Sequence, residues 1–155
     1  MNFDVSLYQT ELIQAPDLDV FDPDLWLRQT FRYVYVTPES ERDASDILVW
    51  FITNHNTGVA LGHIQECCEE VNLVEYHGDL EDLIDSPILL AECSCSVLPD
   101  TDEYSFNTAR FYKFATVKGY VTFRFTSSTS GAYSDAVQMF RVFPVPRLED
   151  SLWKS

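Results

Sequence analysis

From Phe31 onward, apolar and polar residues alternate with a period of two in a chain rich in Val, Ile, Tyr, Phe and Thr. That pattern predicts half-buried strands in preference to helices. Strands are expected at 31–37, 47–54, 58–64, 70–76, 87–97, 110–126 and 133–143. Asn54 to Gly58 reads as a hairpin loop, since Asn and Gly tolerate positive φ, and Ser127 to Gly131 reads as a second hairpin. Gly119 marks either a bend in one long strand or the junction of two.

Two short helices interrupt the strand pattern. Asp22 before Pro23 looks like an N-cap followed by a first-turn proline, so 24–30 is expected to be helical and to present Leu25, Trp26 and Leu27. Asp79 can cap a helix over 80–85, with Glu81 and Asp82 near its positive end and Pro87 restarting an extended chain. Neither an internal repeat nor a parallel βαβ series is visible. The expected fold is α+β and β-dominated, a curled, mostly antiparallel sheet with one or two short helices. Its parts are an accessory N-terminal segment over 1–45, a β-rich core domain over 46–143 and a C-terminal tail over 144–155.

Composition narrows the class. With 155 residues and 46% hydrophobic content the chain suits one folded domain. No apolar run approaches the roughly 18 to 20 residues that cross a bilayer, and the start, MNFDVSLYQTELIQ, has neither region of a signal peptide. A soluble, unexported protein is expected. The net charge of −15 argues against direct binding of nucleic acid through its phosphates, and against an acidic membrane surface.

The charge is unevenly distributed. Between Asp43 and Ala109 there are fourteen acids and no Lys or Arg, while 110–155 is net +4. Duplex DNA carries one charge per ~1.7 Å of axis, so that many carboxylates match roughly 24 Å of duplex. One reading is a charge-driven partner, with the acids occupying the basic groove of a DNA-binding protein. The other is that acids on several strands simply solvate the domain.

Candidate chemistry is sparse. Cys67 and Cys68 are adjacent and would face opposite sides of a strand, whereas Cys93 and Cys95 would share a face. A zinc site from Cys67, Cys93, Cys95 and His63 or His77 lacks the usual two-residue cysteine spacing, so free thiols are expected, with no metal and no cofactor. Glu66, Glu69 and Glu70 surround Cys67 and Cys68 and would raise a thiol pKa, which disfavours a nucleophile there. His63 with Glu66 and Glu69 could form a proton-transfer pair, or His63 could be a hydrogen-bonded strand-end residue. Phosphate-binding glycine loops, nucleophile elbows and EF-hand order are missing. No catalytic residue is assigned.

The run His63-Ile64-Gln65-Glu66-Cys67-Cys68-Glu69-Glu70-Val71 resembles the H-x-Q-x-C-C-E-x-V motif of an uncharacterised domain family found in phage and bacterial genomes. Gly78 to Ile84 is similar to its G-D-L-x-D-L-I step, Ile88 to Glu92 to its I-L-x-A-E strand, and Phe111 to Val121 to its F-Y-K-x-A-T-x-K-G-x-V segment. Ser130 to Ser134 resembles its closing hairpin. Asp85 and Cys93 depart from the pattern, and 1–45 has no counterpart in it. The resemblance implies a phage context, a small β-rich fold and a shared site at His63, Gln65, Cys67, Cys68 and Glu69. It implies no activity.

The combined expectation is a phage-encoded, non-enzymatic binding protein in the cytoplasm of a bacterial host. Its partner would be a host nucleic-acid enzyme or defence protein with a basic surface, met by Glu66, Glu69, Glu70, Glu75, Asp79, Glu81, Asp82 and Asp85. The alternatives are a virion or assembly component, and a small ligand-binding or enzymatic domain with a pocket near His63 to Glu69.

Overall fold

Strand pairing divides the chain between two antiparallel sheets. The computed structural model describes residues 3–13, 21–64, 69–97, 106–129 and 137–146. Five strands, β1 (Tyr8–Leu12), β2 (Phe31–Val36), β3 (Ile47–Thr53), β4 (Gly58–Gly62) and β9 (Gln138–Pro144), form one sheet in the order β1-β9-β4-β3-β2. The other sheet holds β5 (Glu69–His77), β6 (Leu90–Val97), β7 (Phe106–Thr116) and β8 (Gly119–Thr129) in the order β5-β8-β7-β6. The β-dominated, antiparallel expectation holds, but the strands stack as two sheets and do not curl as one.

Phe51 of β3 is the hub between the layers. Its ring lies 5.0 Å from Phe114 and 6.1 Å from Phe123 of the four-stranded sheet, and 5.8 Å from Trp26. Edge-on and tilted contacts of this kind are the favoured geometry of aromatic rings. Val34, Val49, Val59 and Leu61 from one sheet and Val71, Leu73, Val121 and Phe125 from the other complete this core.

β3 is apolar on both faces because the five-stranded sheet has a second cluster on its outer side. Ile47, Trp50, Ile52, Ala60, Phe140 and Val142 lie there, covered by Phe3, Tyr8, Leu12, Tyr33 and Tyr35. Phe3 stacks on Tyr8 at 5.2 Å and lies 4.7 Å from Tyr35 and 5.8 Å from Trp50. The continuous run Ile47 to Ile52, rather than an alternating one, reflects this two-sided burial.

Glycines bound β4 for a steric reason. A Cβ on Gly58 would stand 1.8 Å from the Phe51 carbonyl oxygen, and one on Gly62 would stand 2.0 Å from that of Asp46. Both positions admit backbone only. The expected Asn54 to Gly58 loop joins β3 to β4, with Asn56 at φ 62°.

Several expectations need correction. The proposed helix over 24–30 is a 3-10 turn at Pro23–Leu25, followed by Arg28 at φ 69°, although the Asp22 cap is present. The helix over 80–85 is likewise a 3-10 turn, Leu80–Leu83, capped by Asp79. Each is too short to sustain an α-helix. The strand expected from 87 starts at Leu90, and of the two readings open at Gly119 the structure has the two strands, which turn at Val117 and Lys118. β8 runs to Thr129 and lies in a different sheet from β9, so the two do not form the second hairpin expected at Ser127 to Gly131. β1 is not among the expected strands. Residues 130–136, which contain the whole expected closing hairpin, Ser130 to Ser134, lie outside the described residues.

Among the described residues, no helix is long and apolar enough to cross a membrane.

Candidate functional site

The acidic turn between β5 and β6 is built on a rigid base. Gly78 reverses the chain at φ 112°, where a Cβ would meet the Tyr120 carbonyl oxygen at 2.3 Å. Asp79 then caps the turn, its Oδ1 accepting from the Glu81 backbone N–H at 3.0 Å. Leu83 points into the core and is fully buried. Ile84 forms a parallel bridge with Phe31, and the Asp85 N–H donates to the Phe31 carbonyl at 2.8 Å. With its apolar side anchored, the turn exposes Asp79, Glu81 and Asp85, while Asp82 is half-buried against Gly119.

The β7–β8 turn holds the other side. Thr116 donates its hydroxyl to the Asp82 carbonyl, and the Lys118 N–H donates to the Thr116 hydroxyl at 3.1 Å. Lys118 Nζ donates to the Ile84 carbonyl at 2.6 Å, which brings one ammonium into this acidic group. Its charge is set against four carboxylates.

The outer face of the four-stranded sheet differs, because there an acid is matched by a base across strands. Glu75 sits opposite Arg124, with Nη1 to Oε1 at 3.1 Å, and His77 Nε2 lies 3.4 Å from the same oxygen. The hydrogen bond from Arg124, followed by that from His77, holds the Glu75 carboxyl below the ordinary glutamate value. Glu92 is registered opposite Lys113, whose ammonium lies 4.5 Å above the Tyr120 ring. Glu70 is exposed and accepts from Asn72 Nδ2 at 2.7 Å.

The remaining expected site residues are dispersed or lie elsewhere. His63 is almost fully buried at the end of β4, and its N–H donates to the Asp46 carbonyl at 2.8 Å. Gln65, Glu66, Cys67 and Cys68 lie outside the described residues, and Glu69 is described only as backbone at the start of β5. Cys93 and Cys95 share the inner face of β6, Cys93 half-buried and Cys95 exposed, both as free thiols. Burial is the main reason the Cys93 thiol titrates above its usual value, partly offset by a hydrogen bond from Tyr112. Among the described residues no group of three or more His, Cys, Asp and Glu side chains is placed to hold a metal.

One concave feature was missed from the sequence. Beside the five-stranded sheet, an open cleft of about 340 Å³ is lined by Ile13, Leu25, Phe31, Val59, Phe143 and Arg141, among others. Its walls come from residues 13 to 143 and depend on strand order, which no local pattern reports. No acid–base pair or thiol lines it.

These features define an antiparallel two-sheet domain with an exposed acidic turn between β5 and β6. The chain belongs to the family described as Domain of unknown function (DUF7448), whose model matches residues 33–139. The match begins in β2 and ends in β9, so β1 and the buried Trp26 lie outside it. No curated protein and no solved structure matches the chain.

Proposed function

We propose that this protein acts by binding, and that its acidic turn engages a basic surface on a partner protein. The partner class is a host nucleic-acid enzyme or defence protein, met in the cytoplasm of a phage-infected bacterium, with inhibition following from occupancy of a groove that otherwise takes DNA. The observation that carries this reading is the presentation of Asp79, Glu81 and Asp85 at the surface by a turn whose Leu83 is locked in the core. Rigid display of like charge raises the rate of encounter with a basic surface and restricts which partners fit. Glu75 adds less, since Arg124 neutralises it at short range. Glu70 extends the acidic surface along β5, while Asp82 faces Gly119.

The test uses lysate of the infected host and the tagged protein, at low and at high salt. Capture of a partner should weaken with salt, because exposed charges are screened beyond about 8 Å at physiological ionic strength. It should also weaken in E81Q/D85N, which removes two exposed charges, touches no cap and leaves Asp85 replaced by a residue that accepts positive φ. Capture that is indifferent to both salt and the double variant would remove this reading.

A further inference from the structure

Among the described residues four strands lie at sheet edges: β1, β2, β5 and β6. An unpaired edge presents a row of N–H and C=O groups that another strand can join, and proteins blunt such edges with short length, bulges, proline, charged side chains (lysine above all) or a covering segment. Three of these edges carry such a device. β1 is only five residues long, and β2 is bulged between Phe31 and Tyr33 and carries Arg32. β5 is bulged between Leu73 and Glu75, and Arg42 Nη1 takes the Leu73 carbonyl at 2.7 Å.

β6 has the fewest of them among the described residues, with Glu92 as its one charged side chain. It runs for eight residues, its pairing with β7 is unbroken from Leu90 to Val97, and it contains no Pro, Lys or Arg. Its free side is covered at its start, where Arg28 and Gln29 exchange backbone bonds with Ile88 and the Pro23–Leu25 turn lies against the strand. Beyond that point Ser94, Cys95 and Ser96 are exposed.

We propose that β6 is a pairing edge for a second copy of this chain, joined antiparallel about a two-fold axis at Ser94. The composition of the strand is self-complementary about that point. Glu92 then faces Ser96 of the second copy, so no like charges oppose each other, whereas an axis at Glu92 would set that carboxylate against its twin. On the other face, Cys93 meets Cys95 of the second copy, twice over. Directly opposed Cβ atoms are roughly 4.5 to 5.5 Å apart, near the separation a disulfide bridges. The paired edges make one eight-stranded sheet with four thiols grouped across its centre.

Light scattering over a concentration series should show a reversible dimer. Ser96 is exposed, so S96E and S96K leave the fold alone but place a charge opposite Glu92 of the second copy, and this happens twice in a symmetric pair. S96E should weaken the dimer and S96K strengthen it, each on the order of fivefold. The register is tested in a C67S/C68S background with diamide, which takes two electrons and two protons from a pair of thiols as one disulfide forms. C93S alone and C95S alone should not cross-link, because each thiol then faces Ser, while a mixture of the two should give a covalent heterodimer. A strict monomer at millimolar concentration would overturn the proposal. So would affinity that ignores both Ser96 variants, or cross-linking of either single variant as readily as of the mixture.

Discussion

Arg42 of the turn after β2 donates from Nη1 to the Leu73 carbonyl of β5 at 2.7 Å, and so ties the edge of one sheet to the other. Its Nε also donates to the Thr37 carbonyl at 3.1 Å. The guanidinium satisfies two carbonyls at once, one of them beside a bulge. Hydrogen bonds from a charged donor contribute more than neutral ones, so R42M should cost about 1.5 to 3 kcal/mol in urea unfolding. R42K should recover only part of this, since one ammonium lacks the planar fork.

The hub role of Phe51 predicts a larger loss. Its ring touches Trp26, Phe31, Phe114 and Phe123, which come from both layers and from the loop between β1 and β2. F51A leaves a cavity that no single neighbour can fill, and about 3 to 5 kcal/mol should be lost. A change under 1 kcal/mol in denaturant unfolding would show the layers to be held by other contacts.

Phe3 covers the outer cluster from one side only, so its effect should be local. F3A uncovers Trp50, with a red shift of tryptophan emission and about 1 to 2 kcal/mol of destabilisation, below the value for a fully enclosed ring.

Tyr112 sets an alkaline limit. Burial, and then the neighbouring Cys93, drive its phenol far above the ordinary tyrosine value. The folded state therefore favours the protonated ring, and the stability this supplies is complete below about pH 10, the unfolded value, and lost as pH rises toward the folded one. Absorbance of phenolate from Tyr112 should appear only together with loss of the circular dichroism signal, and Y112F should move that alkaline midpoint upward. Ionisation of Tyr112 in the intact fold would contradict the assignment.

The two described thiols should separate by reactivity. In a C67S/C68S background, Ellman's reagent at pH 8 should modify exposed Cys95 first and Cys93 more slowly, because burial keeps Cys93 protonated. Equal rates would place Cys93 in solvent.

Local chemistry was legible in the sequence wherever a few adjacent residues decide the outcome. The Asp22 and Asp79 caps, the Asn54 to Gly58 loop and the break at Gly119 all belong to that class. β1 was not legible because Tyr8 to Leu12 is short and becomes a strand only through β9, more than a hundred residues away. The same distance hid the partition into two sheets, since a hairpin and a crossover after β8 read alike until β9 is seen beside β4. For the site, the acidic tract was plain, but its division was not: Glu75 meets Arg124 through a pairing across 49 positions, while Glu81 and Asp85 face outward from a turn held by core contacts. His63 was singled out by its acidic sequence neighbours, yet a close approach of the Asp46 backbone places it inside.

The place of β9 between β1 and β4 has a consequence for biosynthesis. β4 keeps a bare edge, and β1 stays without any neighbour, until the segment near residue 144 has left the ribosome. The four-stranded layer can assemble earlier, as β5 to β8 emerge in succession. Sealing the other layer thus waits until after the four-stranded layer has emerged, and the nascent chain meanwhile carries an apolar, unclosed flank that holdase chaperones are suited to shield.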